Sequence, residues 1–198
     1  MDKEMFEFYK NALQGVITNP LCADYKNEWR ACGENKEKLI KLAMRQQSLP
    51  YLITHCYENK GVSMQYILEE FGDFINGRYI VKDADEVDGY TYAMNVGMNE
   101  AQTNIADVSA FLWCTNPSIR IPETKCPTLY VGCKSSIDLY LDGYNSLRVY
   151  LFDESEINIK DADDVSKILV YKYSPKTKIH TEKYCIAKIN EFDKEIRL

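Results

Sequence analysis

The sequence contains seven cysteines, whose thiol groups are candidate nucleophiles, but only two histidines that could activate them. The two residue types are adjacent once, at His55-Cys56, in a segment with helical spacing. Successive side chains of an α-helix point about 100° apart, so this pair is badly placed to act as base and nucleophile. The alternative is a thiol hydrolase in which His180 approaches Cys56 from a distant part of the chain. We favour a core thiol at Cys56 and predict no catalytic residues.

The spacing of the cysteines does not indicate a metal centre. Zinc sites usually draw ligands from close pairs such as Cys-x-x-Cys, and the sequence has no such pair. Cys126 and Cys133 instead lie on either side of the strand-like segment 128–131. An odd number of scattered cysteines without a secretory signal favours free thiols. The common nucleotide-binding and hydrolase motifs are also missing, so we predict no metal and no cofactor.

Two acidic segments of similar sequence, 82–87 and 160–165, are the remaining candidates for a site. The first superficially matches a calcium loop, but Val87 stands where an oxygen ligand is required and Met94 occupies the position of the essential glutamate. A divalent ion held between the two segments at an interface is the alternative. We favour solvated turns between strands, with the acidic side chains of Asp83, Asp85, Asp161 and Asp163.

The composition is that of a globular protein with an acidic surface. The 198 residues are 45% hydrophobic and carry a net charge of -6. Affinity for nucleic acid comes mainly from Lys and Arg, so this charge disfavours a nucleic-acid partner. No segment reaches the roughly 20 apolar residues needed to cross a bilayer, and the first residues lack the pattern of a signal peptide. We therefore expect no membrane contact and a cytoplasmic location.

Residues 1–75 are predicted to form helices, because apolar residues recur at intervals of three and four. Five helices are expected, and Ser63 is placed to cap the last of them. Pro50 is expected to end the third, since its ring disfavours helix in the residue before it. The five helices lie near 5–13, after Pro20, from Asn35 toward Pro50, near 51–58, and from Ser63 to Ile75.

The pattern changes to β-strands after the helices. Two strand-like runs flank the acidic segment near 83–86, so a β-hairpin is expected near 78–96. Residues 105–112 fit a short helix. The stretch 117–127 is rich in proline and has no clean period, so we interpret it as a linker. The predicted organisation is a helical module over 1–116 that includes the hairpin, the linker, and a repetitive β module over 128–198.

The last third of the chain contains a repeat. Five aliphatic residues recur at intervals of 10, 10, 11 and 11 residues, and each opens a short alternating run. Equal strands joined by equal polar turns favour a β-solenoid, in which the chain coils and like positions stack. The alternative is an antiparallel meander, for which Asp142-Gly143 is a fair hairpin signal. The five repeated positions are Ile137, Leu147, Ile157, Ile168 and Ile179.

Helices followed by a repetitive β module give the fold class α+β. The repeat also suggests assembly, because a short solenoid leaves sheet edges at its ends. Such edges would template association unless they are covered. Tyrosine is abundant in the repeat, and exposed tyrosine is enriched at protein interfaces. We predict a protein partner or self-association, with a candidate interface at Tyr140, Tyr144, Tyr150, Tyr171 and Tyr173.

Two segments resemble known sequences. The run 74–80 continued by 89–92, and the ending 183–185 continued by 194–198, are similar to small proteins of bacteriophages and mobile elements of gut Bacteroidales, including the crAss-like phages. The resemblance implies a phage-encoded protein in the bacterial host cytosol. It would be either part of the particle or made early to act on the host. No catalytic residues carry over.

Three functions follow as expectations. The first is a non-enzymatic interaction or structural protein, a particle component or adaptor that docks through its β module. The second is an effector that binds a cytosolic protein of the host, for which the negative charge would suit a basic partner. The third is an enzyme with a site between the modules, using Cys56, His180 or the acidic turns.

Overall fold

The computed structural model describes residues 23–33, 35–44, 48–58, 63–75, 77–82, 91–101, 105–161, 166–181 and 187–191. The chain divides into two compact units, Met1–Ile75 with Arg197–Leu198, and Asn76–Ile196. The predicted hairpin therefore groups with the β-strands and not with the helices. The helix predicted near 5–13 lies outside the described residues.

The first unit is helical, as its periodicity predicts. The side chain of Asn35 accepts a hydrogen bond from the N–H of Lys38, and the Ser63 hydroxyl accepts one from the N–H of Tyr66, so both act as N-caps. Pro50 does not end a helix but lies in the first turn of one, where its missing N–H is not needed. The helices are α1 (Ala23–Ala31), α2 (Lys36–Ala43), α3 (Leu49–Tyr57) and α4 (Met64–Ile75).

The second unit is a β-solenoid built from two sheets. Nine consecutive strands, β3 to β11, alternate between a first sheet and a second sheet, and every pairing among them is parallel. The strands are β1 (Gly77–Lys82), β2 (Thr91–Val96), β3 (Val108–Leu112), β4 (Thr115–Ile121), β5 (Thr128–Gly132), β6 (Ser136–Leu141), β7 (Ser146–Leu151), β8 (Glu156–Asp161), β9 (Lys167–Lys172), β10 (Lys178–Thr181) and β11 (Ala187–Glu191).

The described strands form four coils, and each coil consists of one strand from each sheet. Coil one is β3 and β4, coil two is β5 and β6, coil three is β7 and β8, and coil four is β9 and β10, after which β11 returns to the first sheet. Ile137 of β6 pairs with Ile157 of β8 in parallel register. The predicted solenoid is thus confirmed over the antiparallel meander.

The repeat of ten to eleven residues is half a coil. Ile137 and Ile157 share a column of the second sheet with Ile179, while Leu147 pairs with Ile168 in the first sheet. Successive arcs therefore belong to opposite sheets, and like positions on one sheet recur after about two arcs. Along each strand the side chains alternate between the core and the outer face, as the burial of β6 and β7 shows.

The first coil begins earlier than expected. The interpretation of residues 105–112 as a helix was wrong, because Val108–Leu112 is strand β3 and is buried along its whole length. A strand buried on both faces reads as a continuous apolar run without alternation, so its period cannot distinguish it from a buried helix segment. The segment 117–127, read as a linker, contains most of β4 and the corner that leads to β5.

Proline concealed strand β4. Pro117 lies where the register between β4 and β6 shifts, and the preceding Asn116 has a φ of 48°. In the order of strands described, β4 is also the edge of the second sheet. Proline is tolerated at bulges and at sheet edges because no ladder hydrogen bond is lost there.

The amino-terminal end of the first sheet is continued by the hairpin of the same unit. Strand β2 pairs in parallel with β3, and β1 returns antiparallel along β2. Beyond β2, the N–H of Gly97 donates to the carbonyl of Leu112, and the carbonyl of Met98 accepts from Thr115. Met98 and Ile105 join the solenoid core. This end of the first sheet is thus extended by two further strands.

Columns of aliphatic side chains fill the solenoid. Leu139, Leu129 and Val149 are fully buried, and so are most members of the core cluster. Because parallel stacking places each side chain over its counterpart one coil away, the inward residues of the middle coils pack against neighbours above and below them. Removal of one column member leaves a cavity that two flanking coils must line.

Asp153 joins two coils at a corner. Its carboxylate accepts hydrogen bonds from the backbone N–H groups of Cys133, at 2.7 Å, and Lys134, at 3.0 Å. These two residues and Asp153 itself all have positive φ, between 45° and 57°. The side chain is 7% exposed, so water competes little for these bonds. The hydroxyl of Ser155 donates to the same carboxylate.

Substitution Leu139→Ala should lower the free energy of unfolding by about 2 to 5 kcal/mol, because it opens a cavity in the core. The matched control is Asp138→Ala, one residue earlier on the outer face of the same strand, which should cost less than about 1.5 kcal/mol. Urea denaturation followed by circular dichroism in the β-sheet band measures both. Equal losses for the two variants would contradict the assignment of inward and outward faces.

Substitution Asp153→Ala should destabilise the protein by about 1 to 3 kcal/mol, since two partly buried N–H groups lose their carboxylate acceptor. Asp153→Asn retains one acceptor oxygen and tolerates positive φ, so its loss should be smaller. The order of melting temperatures, wild type above Asn above Ala, checks this. A melting temperature for the Ala variant equal to that of wild type would show that the corner does not depend on the carboxylate.

Candidate functional site

The tyrosines predicted to form one interface lie on different faces of the solenoid. Tyr150 and Tyr171 stack with Tyr130 on the outer face of the first sheet, with ring centroids 4.8 Å and 4.7 Å apart. Tyr140 projects from the outer face of the second sheet. Tyr144 is 53% exposed and belongs to the corner between β6 and β7. The structure therefore brings the predicted residues together only in part.

The stack on the first sheet extends to Tyr173. Its ring lies 5.0 Å from that of Phe152 and 6.2 Å from that of Tyr150. Burial raises the pKa of Tyr150, and the neighbouring Tyr171 raises it further. The packing of this stack joins coils two, three and four.

The outer face of the second sheet is polar and internally paired. Lys160 donates to the hydroxyl of Tyr140 at 3.2 Å and lies 4.9 Å from the centre of its ring. Asn158 donates to Asp138 at 2.7 Å. Each of these pairs joins coil two to coil three. Cross-strand pairs of this kind stabilise a sheet and fix its register.

The acidic turns fall almost entirely outside the described residues. Asp83, Asp85 and Asp163 are not described, and Asp161 is placed only as the last residue of strand β8. Within the ranges that the structure describes, no three His, Cys, Asp or Glu side chains form a group that could hold a metal ion. The expectation for these turns stays a prediction.

The residues considered for thiol chemistry are placed as follows. Cys56 is 5% exposed among the buried residues of α3, and the ring of His55 lies 6.3 Å from that of Tyr51. His180 is exposed on β10, and its Nε2 lies 3.3 Å from a carboxylate oxygen of Glu156. Cys56 is thus buried on α3, and His180 is exposed beside a carboxylate.

The buried thiol of Cys114 lies at the corner of coil one. It donates to the carbonyl of Asn95 at 3.2 Å. Burial raises the pKa of Cys114 to about 11, although backbone hydrogen bonds oppose the shift. A thiol in this environment remains protonated at neutral pH and reacts slowly, since the thiolate is the nucleophile.

The carboxyl-terminal edge, which we define as the open sides of β10 and β11, is the candidate for docking. Among the described strands, β10 pairs only with β8, and β11 pairs only with β9. The N–H of Lys178 donates to the carbonyl of Ser155 in coil three. Successive amides of a strand point to opposite sides, so the N–H groups of Ile179 and Thr181 point away from β8. An edge of this kind can accept another strand.

Charges alternate along the solenoid axis toward this edge. Glu154 of coil three lies between Lys134 of coil two, at 3.9 Å, and Lys176 of coil four, at 3.1 Å. The hydrogen bond from Lys176 and the charge of Lys134 hold the pKa of Glu154 below its ordinary value. Two residues further on, Glu156 pairs with Lys178 at 3.5 Å. The edge strand is thus basic where the coil beneath it is acidic.

This alternation is not visible when arcs ten to eleven residues apart are aligned, because neighbouring arcs lie on opposite sheets. Glu154 and Lys176 are 22 residues apart, and Lys134 and Glu154 are 20 apart. Comparison of the charges at positions one full coil apart reveals the ladder of alternating charges formed by these three residues.

Native protein treated with a thiol reagent at pH 8 should be modified at exposed Cys126 and not at Cys114. Peptide mapping by mass spectrometry distinguishes the two sites, and a denatured sample provides the control, in which both react. Modification of Cys114 at the rate of Cys126 in the folded protein would contradict the buried position of its thiol.

No helix in the part of the chain that the structure describes is long and apolar enough to cross a membrane. Comparisons with protein-family models, with curated proteins and with solved structures found no match.

Proposed function

We propose that this chain is a non-enzymatic interaction protein whose solenoid docks on a protein partner through the carboxyl-terminal edge. The observation that supports the proposal is the row of backbone donors and acceptors on the open side of β10. Addition of a strand to such an edge gives affinity through main-chain hydrogen bonds and specificity through alternate side chains. A stack of in-register coils provides a rigid platform for it.

The edge is suited to selective docking and not to unlimited polymerisation. Strand β10 has only four residues, and lysine and histidine are exposed along it. Short edge strands with basic residues are a common means by which proteins prevent uncontrolled pairing. A partner that adds here must therefore compensate this charge.

The setting that we propose is a bacteriophage particle, or the cytosol of the bacterial host. It rests on the resemblance of segments 74–80 and 183–185 to proteins of Bacteroidales phages. A particle component or an adaptor fits a protein whose candidate surface is a strand edge. An effector bound to a host protein remains the second candidate, because the net charge of -6 would suit a basic partner.

Cross-linking with mass spectrometry on the native protein, in cells that produce it, tests the proposal. Lysines of the edge, such as Lys176 and Lys178, should link to another protein or to a second copy. Thr181→Pro removes an N–H from the open side and should reduce these links at least about tenfold, with little change in melting temperature. Thr181→Val keeps the N–H and serves as the control.

A strictly monomeric protein without intermolecular cross-links would contradict the proposal. Links that persist unchanged in the Thr181→Pro variant would place the docking surface elsewhere. Detection of the protein in purified particles would favour the particle component over the effector.

A further inference from the structure

We infer that the open side of β10 accepts a parallel strand with two acidic residues at alternate positions, followed by an aliphatic residue. This inference rests on the proposed function and specifies the partner of the same edge. It follows from three columns of side chains that run through the coils and end at β10.

The first column sets the charge of the partner strand. Its members are Lys134, Glu154 and Lys176, with charges that alternate from coil to coil. Glu154 has a lysine on each side, whereas Lys176 has a carboxylate partner only in the coil beneath it among the described residues. The next position of this column is therefore filled best by an acidic residue. These three residues lie in the turns that precede β6, β8 and β10, and opposite charges in neighbouring turns attract one another.

The second column lies two residues further along and also favours an acidic residue on the partner strand. Ser136, Glu156 and Lys178 occupy it, and Glu156 lies within 3.5 Å of both Lys178 and His180. One carboxylate thus serves two basic side chains. A second acidic residue on the incoming strand would provide the other carboxylate.

The third column sets the apolar position. Ile137 and Ile157 are fully buried, whereas Ile179 packs against the core but is only partly buried. An aliphatic residue in the next coil would cover it and gain from the apolar area removed from water. The partner sequence is therefore acidic, small, acidic, aliphatic, as in segment 154–157 of this chain.

A second copy stacked head to tail does not fit these columns. The amino-terminal edge of the second sheet is β4, and its register with β6 places Thr115 in the column of Ser136 and Glu156. Two residues earlier, the column of Lys134 would receive Trp113. Neither residue carries a charge, and the irregularity at Asn116 and Pro117 interrupts the ladder. We therefore assign the edge to a different, acidic strand.

The test uses the full chain and a labelled peptide with the sequence of residues 153–161, which pairs with β10 from its other side in the native fold. Fluorescence anisotropy should detect saturable binding. The control peptide carries lysine in place of Glu154 and Glu156. We expect it to bind with an affinity about tenfold lower than that of the acidic peptide. Higher salt should narrow this difference.

Variants of the chain separate charge from backbone pairing. Lys176→Gln with Lys178→Gln should remove most of the preference for the acidic peptide, and circular dichroism checks that the variant folds. Thr181→Pro should weaken both peptides, because it acts on the backbone. Hydrogen exchange should show added protection within 178–181 on binding of the acidic peptide.

Equal binding of the two peptides, or no binding of either, would overturn the inference of an acidic strand. If cross-links to another protein still map to Lys176 and Lys178, the proposed function survives that failure. Loss of the cross-links as well would contradict both the inference of an acidic strand and the proposed function. Self-association of the chain that competes with the peptide would show that a second copy, and not an acidic partner, occupies the edge.

Discussion

Parallel, in-register stacking of coils is the constraint on which the second unit depends. Each coil pairs in register with the adjacent coil, so Ile137 lies against Ile157 and Tyr130 against Tyr150. A one-residue slip would turn the core side chains outward along the whole strand. The aliphatic columns, the tyrosine stack and the corner bonds of Asp153 all require the same register. They therefore stabilise one another and exclude alternatives.

The repeat could be predicted from the sequence, because β6 to β9 alternate cleanly between core and outer face. The first coil could not, since β3 is buried on both faces and Pro117 interrupts the pattern of β4. The tyrosines of the candidate interface do not all lie on one surface, for a geometric reason. Tyr140 and Tyr150 are one arc apart, so they lie on opposite sheets. Residues that share a sheet are found only by comparing positions that are one full coil apart.

The two ends of the solenoid differ in how their edges are treated. At the amino-terminal end, the chain supplies β2 and β1 to continue the first sheet, and Met98 enters the core. At the carboxyl-terminal end, β10 is short and carries basic side chains. Among the described strands, two extra strands extend the sheet at one end, whereas a short strand with exposed lysine lies at the other. The two ends therefore differ, which suits a protein that binds a partner at one end.

The ladder formed by Lys134, Glu154 and Lys176 also limits how such a protein can change its length. Insertion of a single coil with a charged residue at this position would set two like charges against each other at the seam. Insertion of two coils with opposite charges at this position would preserve the alternation. The ladder therefore favours a change of length by two charged coils over a change by one.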